Sequence, residues 1–262
     1  MKLGRFEHQG RIFYGAVEGD QVTELEGSIF GDYKSTPKRH ALGSLKTLVP
    51  CIPPNFYCAG LNCAAHIEWA NRRTGGNRKP PEKADIGYRS ANALVATGEA
   101  IVIPADSPGP VQFEGELVAV IGKTARNLSE KDALSCVLGY TLGNDVSERT
   151  WQKQDRTLWR AKNCDTFKPM GPFIATGIDP MKLTVTIKVN GATASEYGTD
   201  KMLFSAQHYI SQISKYMTLL PGDVVWLGTD GATEPNLKDG DVVEVIQKDI
   251  GVLRNPVRRA RA

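Results

Sequence analysis

Residues Val111 to Gly122 read Val-Gln-Phe-Glu-Gly-Glu-Leu-Val-Ala-Val-Ile-Gly, and this run limits the fold more than any other in the chain. Apolar and β-branched residues dominate it and Gly122 stops it, so a strand is expected. Side chains alternate across a strand, which sends Glu114, Glu116, Val118 and Val120 to one side. The strand rise sets the two carboxylates about 7 Å apart, on a face that the valines mark as at least partly buried. Like charges there repel each other and lose hydration, and a cation between them relieves both costs. Gly115, on the other face, removes bulk where another segment can press close. The alternative is a solvated edge strand with two surface glutamates, since the pattern alone is common.

A chain of 262 residues has room for one large domain, or for a small one and a large one. The expected division is a small β-rich unit over 1–50 and a catalytic domain over 51–262. With 41% hydrophobic and 23% charged residues, there is ample material for a core. Its 26 glycines and 15 prolines favour many short strands over long helices, an α+β, mainly β, class. A net charge of +3 argues against a nucleic-acid partner, which needs a clustered basic surface. The five cysteines contain no C-x-x-C pair, and no secretory apolar region opens the chain. Reduced thiols and a cytoplasmic location are therefore expected. No apolar run reaches the roughly 18 residues that cross a bilayer.

Taken in order, Arg11–Val17 and Gln21–Leu25 form a hairpin around Glu18-Gly19-Asp20. Residues 31–40 read as a loop, and 42–49 as a short helix before a proline linker. Asn55 to Asn62 is a strand and turn, with Asn62 a plausible cap for a helix from Cys63 to Ala70 that carries His66. Residues 72–85, rich in Gly, Pro, Lys and Arg, are expected to be a mobile loop and, in an enzyme, a lid. Ser129 caps an expected helix over 129–137. Residues 138–145 are a buried strand that ends in Asp145, and 146–159 are polar and partly helical. A turn over 169–172 precedes a strand over 173–176. Further on, Asn190-Gly191 marks a hairpin, 202–217 an amphipathic helix, and 224–231 and 242–246 strands. The tail from Arg254, with four arginines, is expected to fray.

Glu114, Glu116 and Asp145 thus make three carboxylates on neighbouring buried strands, with no Cys or His at ligand spacing. An all-oxygen set suits a hard cation, Mg²⁺ in particular. At this point the chain resembles the fumarylacetoacetate hydrolase family. The resemblance rests on Phe113-Glu114-Gly115-Glu116-Leu117, Gly143-Asn144-Asp145-Val146-Ser147, Ala161-Lys162 with Asp165-Thr166-Phe167, Gly171-Pro172 and Gly228-Thr229, in that order. Gly60-Leu61-Asn62 with Ala65-His66 adds the family's opening motif, and the likeness spans roughly Pro53 to Leu253.

The resemblance implies a mixed β-roll, or incomplete barrel, with short helices, a homodimer, and Mg²⁺ or Mn²⁺ acting on 2-oxo and diketo acids. It implies that Glu114, Glu116 and Asp145 are metal ligands and that His66 is the general base. Lys162 and Gln152 meet the negative charge that develops on the substrate, and Thr229 contacts its carboxylate. Arg149 and Arg89 stand as candidate substrate-binding residues, with Arg156, Trp159 and residues 72–88 setting specificity. Salt-bridging to Asp165 is the other reading for Lys162, a surface position for Gln152, and a turn hydroxyl for Thr229.

Two departures bear on the chemistry. Cys63 stands where the family has tyrosine. Trp69 stands where hydrolytic members carry a glutamate three positions after the histidine; the nearest here is Glu68, one residue and so about 100° around the helix from that position. The first expectation is therefore C–C hydrolysis of an acylpyruvate-type substrate, with His66 and Glu68 activating water. If that pair is absent, decarboxylation, keto–enol isomerisation or lyase action follows. A catalytically inactive homologue would have no need of three buried charges.

Overall fold

Short alternating runs broken by glycine and proline give strands of two to nine residues and little helix. In the computed structural model, residues 1–77, 79–231 and 234–261 are described. The N-terminal strands are β1 (Lys2–His8), β2 (Arg11–Glu18), β3 (Gln21–Gly27), β4 (Tyr33–Ala41) and β5 (Lys46–Leu48). Then come β6 (Phe56–Ala59), helix α1 (Ala64–Thr74), β7 (Ile86–Tyr88), β8 (Leu94–Val95), β9 (Ile101–Ile103), β10 (Val111–Gln112), β11 (Gly115–Ile121) and β12 (Val137–Asn144). β13 (Ser147–Glu148), α2 (Arg149–Gln154), α3 (Trp159–Asn163) and β14 (Lys168–Ala175) follow. The chain ends with β15 (Thr184–Val189), β16 (Ala192–Gly198), α4 (Ala206–Tyr216), β17 (Val224–Trp226), β18 (Val242–Gln247) and β19 (Gly251–Arg259).

Among the described residues, the larger sheet runs β4-β3-β2-β1-β14-β12-β11-β17-β6-β7, with β5 beside β1 and β8 beside β14. A second sheet runs β16-β15-β18-β19-β9, and β10 pairs with β13. Most neighbours are antiparallel; β8–β14, β6–β17 and β9–β19 are parallel. This mixed, mainly β architecture is the expected class. Residues 1–50 are joined to the rest through β1, which pairs Lys2 with Ala175 of β14.

β11 is the hub. Leu117, Ala119 and Ile121 pack into one core with Ile187, Val245 and Tyr209, while Val118 and Val120 pack into another with Leu3, Ile174 and Trp226. Both faces are therefore dry, and an edge strand is excluded. Gly115 admits the second sheet as expected: a Cβ there would fall 2.5 Å from Ile187 Cγ1 and 3.2 Å from Val245. Burying a side chain such as Ile187 or Leu117 contributes roughly 1.5–3 kcal/mol, so this contact sets how the two sheets meet.

Several local expectations are corrected. Residues 33–41 are not a loop but edge strand β4, solvated on both faces, with Pro37 inside the irregularity between Thr23 and Leu25. Only one 3-10 turn, Leu42–Ser44, replaces the helix over 42–49, before β5. Residues 129–137 hold just the 3-10 turn Ala133–Cys136, because the Cys136 carbonyl accepts from the amides of Gly122 and Lys123. The expected turn at 169–172 lies inside β14, buried throughout. The strand begun at Val224 stops at Trp226. The arginine tail is β19, whose Leu253, Asn255 and Val257 face inward while the arginines stay outside. α1 extends through Thr74, and Gly75, at φ 65°, ends it. Residues 75–77 and 79–85 beyond it carry no regular structure, and Arg78 of the expected lid lies outside the described residues. Asn62 does not cap α1; its amide donates to the carbonyls of Phe204 and Leu227, tying this turn to the chain before α4 and after β17.

Candidate metal and substrate site

Glu114 lies in the two-residue break between β10 and β11, and Glu116 is the second residue of β11. Antiparallel pairing sets Gly115 opposite Asn144, which brings Asp145, just past β12, beside Glu114. Two hydrogen bonds lock this corner. Asn144 Oδ1 accepts from the Glu114 amide at 2.9 Å, and the Glu114 carbonyl accepts from the Asp145 amide at 2.8 Å. Ligand oxygens of Glu114, Glu116 and Asp145 then lie within 4.8 Å of one another, all three residues buried.

Among the described residues, four cations surround the trio. Arg89 donates from Nε to Asp145 Oδ1 at 3.0 Å and from Nη2 to Oδ2 at 2.8 Å. Lys162, on α3, donates to Glu114 Oε2 at 2.5 Å and Asp145 Oδ2 at 2.7 Å. Arg149, at the start of α2, reaches Glu114 Oε1 at 2.7 Å. Lys168 lies 2.7 Å from Asp145 Oδ1 and also donates to the carbonyls of Val146 and Phe167. Glu116 differs: its hydrogen bond comes from the Gly228 amide, at 2.8 Å. Burial, with Asp145 and Glu114 alongside, pushes its carboxyl up to about 8. Burial works the same way on Glu114 and Asp145, but their basic partners outweigh it and hold both below the ordinary range. Burial draws the Lys168 ammonium down to about 8 against the pull of Asp145.

These residues open on a cavity of about 240 Å³, lined also by His66, Asp85, Gln152 and Thr229. The His66 ring lies against the Gly231 backbone, where a Cβ would come within 2.2 Å of Cγ. Burial lowers its pKa, with Arg149 and Lys162 adding to the effect and Glu114 opposing it, so the imidazole is neutral near pH 7. Gln152 Oε1 accepts from Arg149 Nη1 at 2.7 Å, and Arg149 Nε donates to Gln112, whose amide reaches Asn236. Thr229 is buried beside Asp230.

Of the expected site residues, Glu68, Arg156 and Trp159 do not line the cavity. The Glu68 side chain is 69% exposed and lies 3.8 Å from Arg72 on the outer face of α1. Lys162 does not bridge to Asp165, which accepts from Asn92 instead. Arg89 and Arg149 line the cavity but are also engaged with carboxylates. Trp159 lies on the outer surface, 64% exposed. Sequence reasoning missed Lys168 and Asp85. A lysine opening the apolar strand 168–175 was the available signal for the first; nothing local marks the second.

Residues 55–258 match the family model for the fumarylacetoacetate (FAA) hydrolase C-terminal domain, and residues 1–50 match the Rv2993c-like N-terminal model. The chain is a member of the fumarylacetoacetate hydrolase family. Its fold follows a 5-carboxymethyl-2-hydroxymuconate delta-isomerase from Mycobacterium smegmatis, with TM-score 0.90 and 34% identity over 99% of this chain and all of that one. A 2,4-didehydro-3-deoxy-L-rhamnonate hydrolase from Sphingomonas is 36% identical over all of this chain and 97% of its own. An oxaloacetate tautomerase from Xenopus laevis is 36% identical over 78% of this chain and 66% of its own. Like these fumarylacetoacetate hydrolase family relatives, the chain is an enzyme.

The donor set fits a hard divalent ion. Three buried carboxylates converge, all their ligand atoms are oxygen, and among the described residues Glu116 has no basic side chain hydrogen-bonded to it.

Proposed function

We propose that this enzyme binds Mg²⁺ or Mn²⁺ through Glu114, Glu116 and Asp145 and moves a proton between carbon and oxygen of a 2-oxo acid, as an isomerase or keto–enol tautomerase. The observation that carries this reading is Glu68. Its side chain lies near Arg72, 69% exposed, so the glutamate expected to help His66 activate water for C–C cleavage stands outside the cavity. A bound divalent ion supplies Lewis-acid polarisation of the 2-oxo group. The protein groups do the rest. Neutral His66 accepts the proton from carbon and, as the imidazolium, returns it to the enolate oxygen, the reverse transfer carrying enol to keto form. Lys162 and Arg149 donate toward the oxygen on which charge develops, a role worth about 3 kcal/mol per donor. Gln152 orients Arg149, and the Thr229 hydroxyl receives the substrate carboxylate.

The isomerase and tautomerase relatives support this reading, and the rhamnonate hydrolase keeps hydrolysis as the second. One assay separates them. Enol-oxaloacetate and an acylpyruvate are each supplied with Mg²⁺ and with chelator; loss of the enol absorbance, release of pyruvate and cleavage of the acylpyruvate are followed together. The expected result is Mg²⁺-dependent tautomerisation with the acylpyruvate left intact. Dominant acylpyruvate cleavage would establish the hydrolase, and dominant pyruvate release from oxaloacetate a decarboxylase. The proposal extends to a division near residue 50 and to a cytoplasmic homodimer. All five cysteines are free thiols, and exposed Tyr88, Tyr216, Met217 and Leu220 offer apolar contact area that light scattering would test.

A further inference from the structure

Asp145 has four charged contacts and about four lone-pair sites to receive them. Arg89 fills one on each oxygen, Lys168 a second on Oδ1 and Lys162 a second on Oδ2. No acceptor site is left for an incoming cation. Glu114 carries Arg149 on one oxygen and Lys162 on the other. An ion that uses all three carboxylates must therefore displace a donor from Asp145.

Three of the four contacts are anchored. The fully buried Lys168 ammonium gives its other protons to the carbonyls of Val146 and Phe167 at 3.0 and 2.8 Å. Arg89 grips Asp145 with two parallel bonds, and its Nη1 is held by the Tyr88 carbonyl at 3.0 Å. The Lys162 ammonium, by contrast, rests on the two carboxylates themselves, and its side chain borders the cavity.

We infer that Lys162 is the exchangeable counter-ion of the carboxylate trio, and that cation uptake is an exchange in which its ammonium leaves Asp145 and turns toward the substrate. The inference rests on reading the carboxylate trio as a metal site. It makes Lys162 a two-position group: it stabilises buried carboxylates before the ion arrives and serves the substrate afterwards. Removing Lys162 also removes a positive charge beside a dication, and like charges forced together oppose binding.

The test is a titration with Mn²⁺ alone, following the electron paramagnetic resonance signal of the free ion, on the wild-type protein and on Lys162→Met. The methionine variant is expected to bind Mn²⁺ roughly tenfold or more tightly while losing turnover. Equal or weaker binding by a folded Lys162→Met protein would overturn the exchange. Absence of binding in both proteins would instead defeat the metal-site reading itself. If Lys162→Met does not fold, a crystal structure of Mn²⁺-loaded wild-type protein decides. Lys162 Nζ withdrawn from Asp145 Oδ2 supports the exchange; Nζ still within hydrogen-bond distance of that oxygen defeats it.

Discussion

Asp145 is at once a candidate ligand and the anion that holds Arg89, Lys162 and Lys168 in the interior. Removing one partner of a buried ion pair leaves an uncompensated charge, which costs about 3–5 kcal/mol. Asp145→Ala is therefore expected to lower thermal stability strongly as well as abolish turnover, and a melting curve would show it. Asp145→Asn, which keeps the shape, separates the two roles: Mn²⁺ binding should disappear with a smaller loss in melting temperature. Glu68 gives the opposite expectation. Because its side chain lies on the solvent side of α1, Glu68→Gln should leave kcat/KM and its pH profile near wild type. A large fall in rate, or a displaced limb of the profile, would reinstate the water-activating pair.

At the scale of elements, the contact between β11 and β15 depends on Gly115. An alanine there brings a methyl group 2.5 Å from Ile187 Cγ1, and overpacking of this kind costs about 1–3 kcal/mol. Gly115→Ala should lower the unfolding free energy measured by urea denaturation by that amount and disturb Glu114 and Glu116 on either side. The N-terminal strands make a separate prediction. Burial would raise the Glu24 carboxyl, but Arg11 on β2 and His40 on β4 outweigh it and hold the pKa below its ordinary 4.5. A lowered acidic pKa stabilises the fold above the ordinary value and ceases to do so as pH falls through the lowered one. The gap in melting temperature between wild type and Glu24→Gln should therefore be full at neutral pH and close below 4.5. Much of the element content was legible, because period-2 alternation and Asn-Gly turn chemistry act locally. β4 and β19 were not. A polar edge strand and an arginine-rich strand take their structure from the neighbour that accepts their hydrogen bonds, and no short-range pattern carries that information.

For the whole molecule, prolonged dialysis against a chelator should remove activity, and added Mg²⁺ or Mn²⁺ should restore it. Full activity in chelator would remove the metal from the chemistry. The sequence alone determined the acidic trio, the glycine that lets a second sheet press on β11, and the family, because each is a matter of residue type at short spacing. Only the tertiary structure decided how those charges are balanced. Lys168 reaches Asp145 from β14 and Arg89 reaches it from beyond β7, while Arg149 on α2 reaches Glu114; the sheet order brings these separate segments to one corner. The direction in which Glu68 points was decided the same way, by which face of α1 the rest of the protein covers.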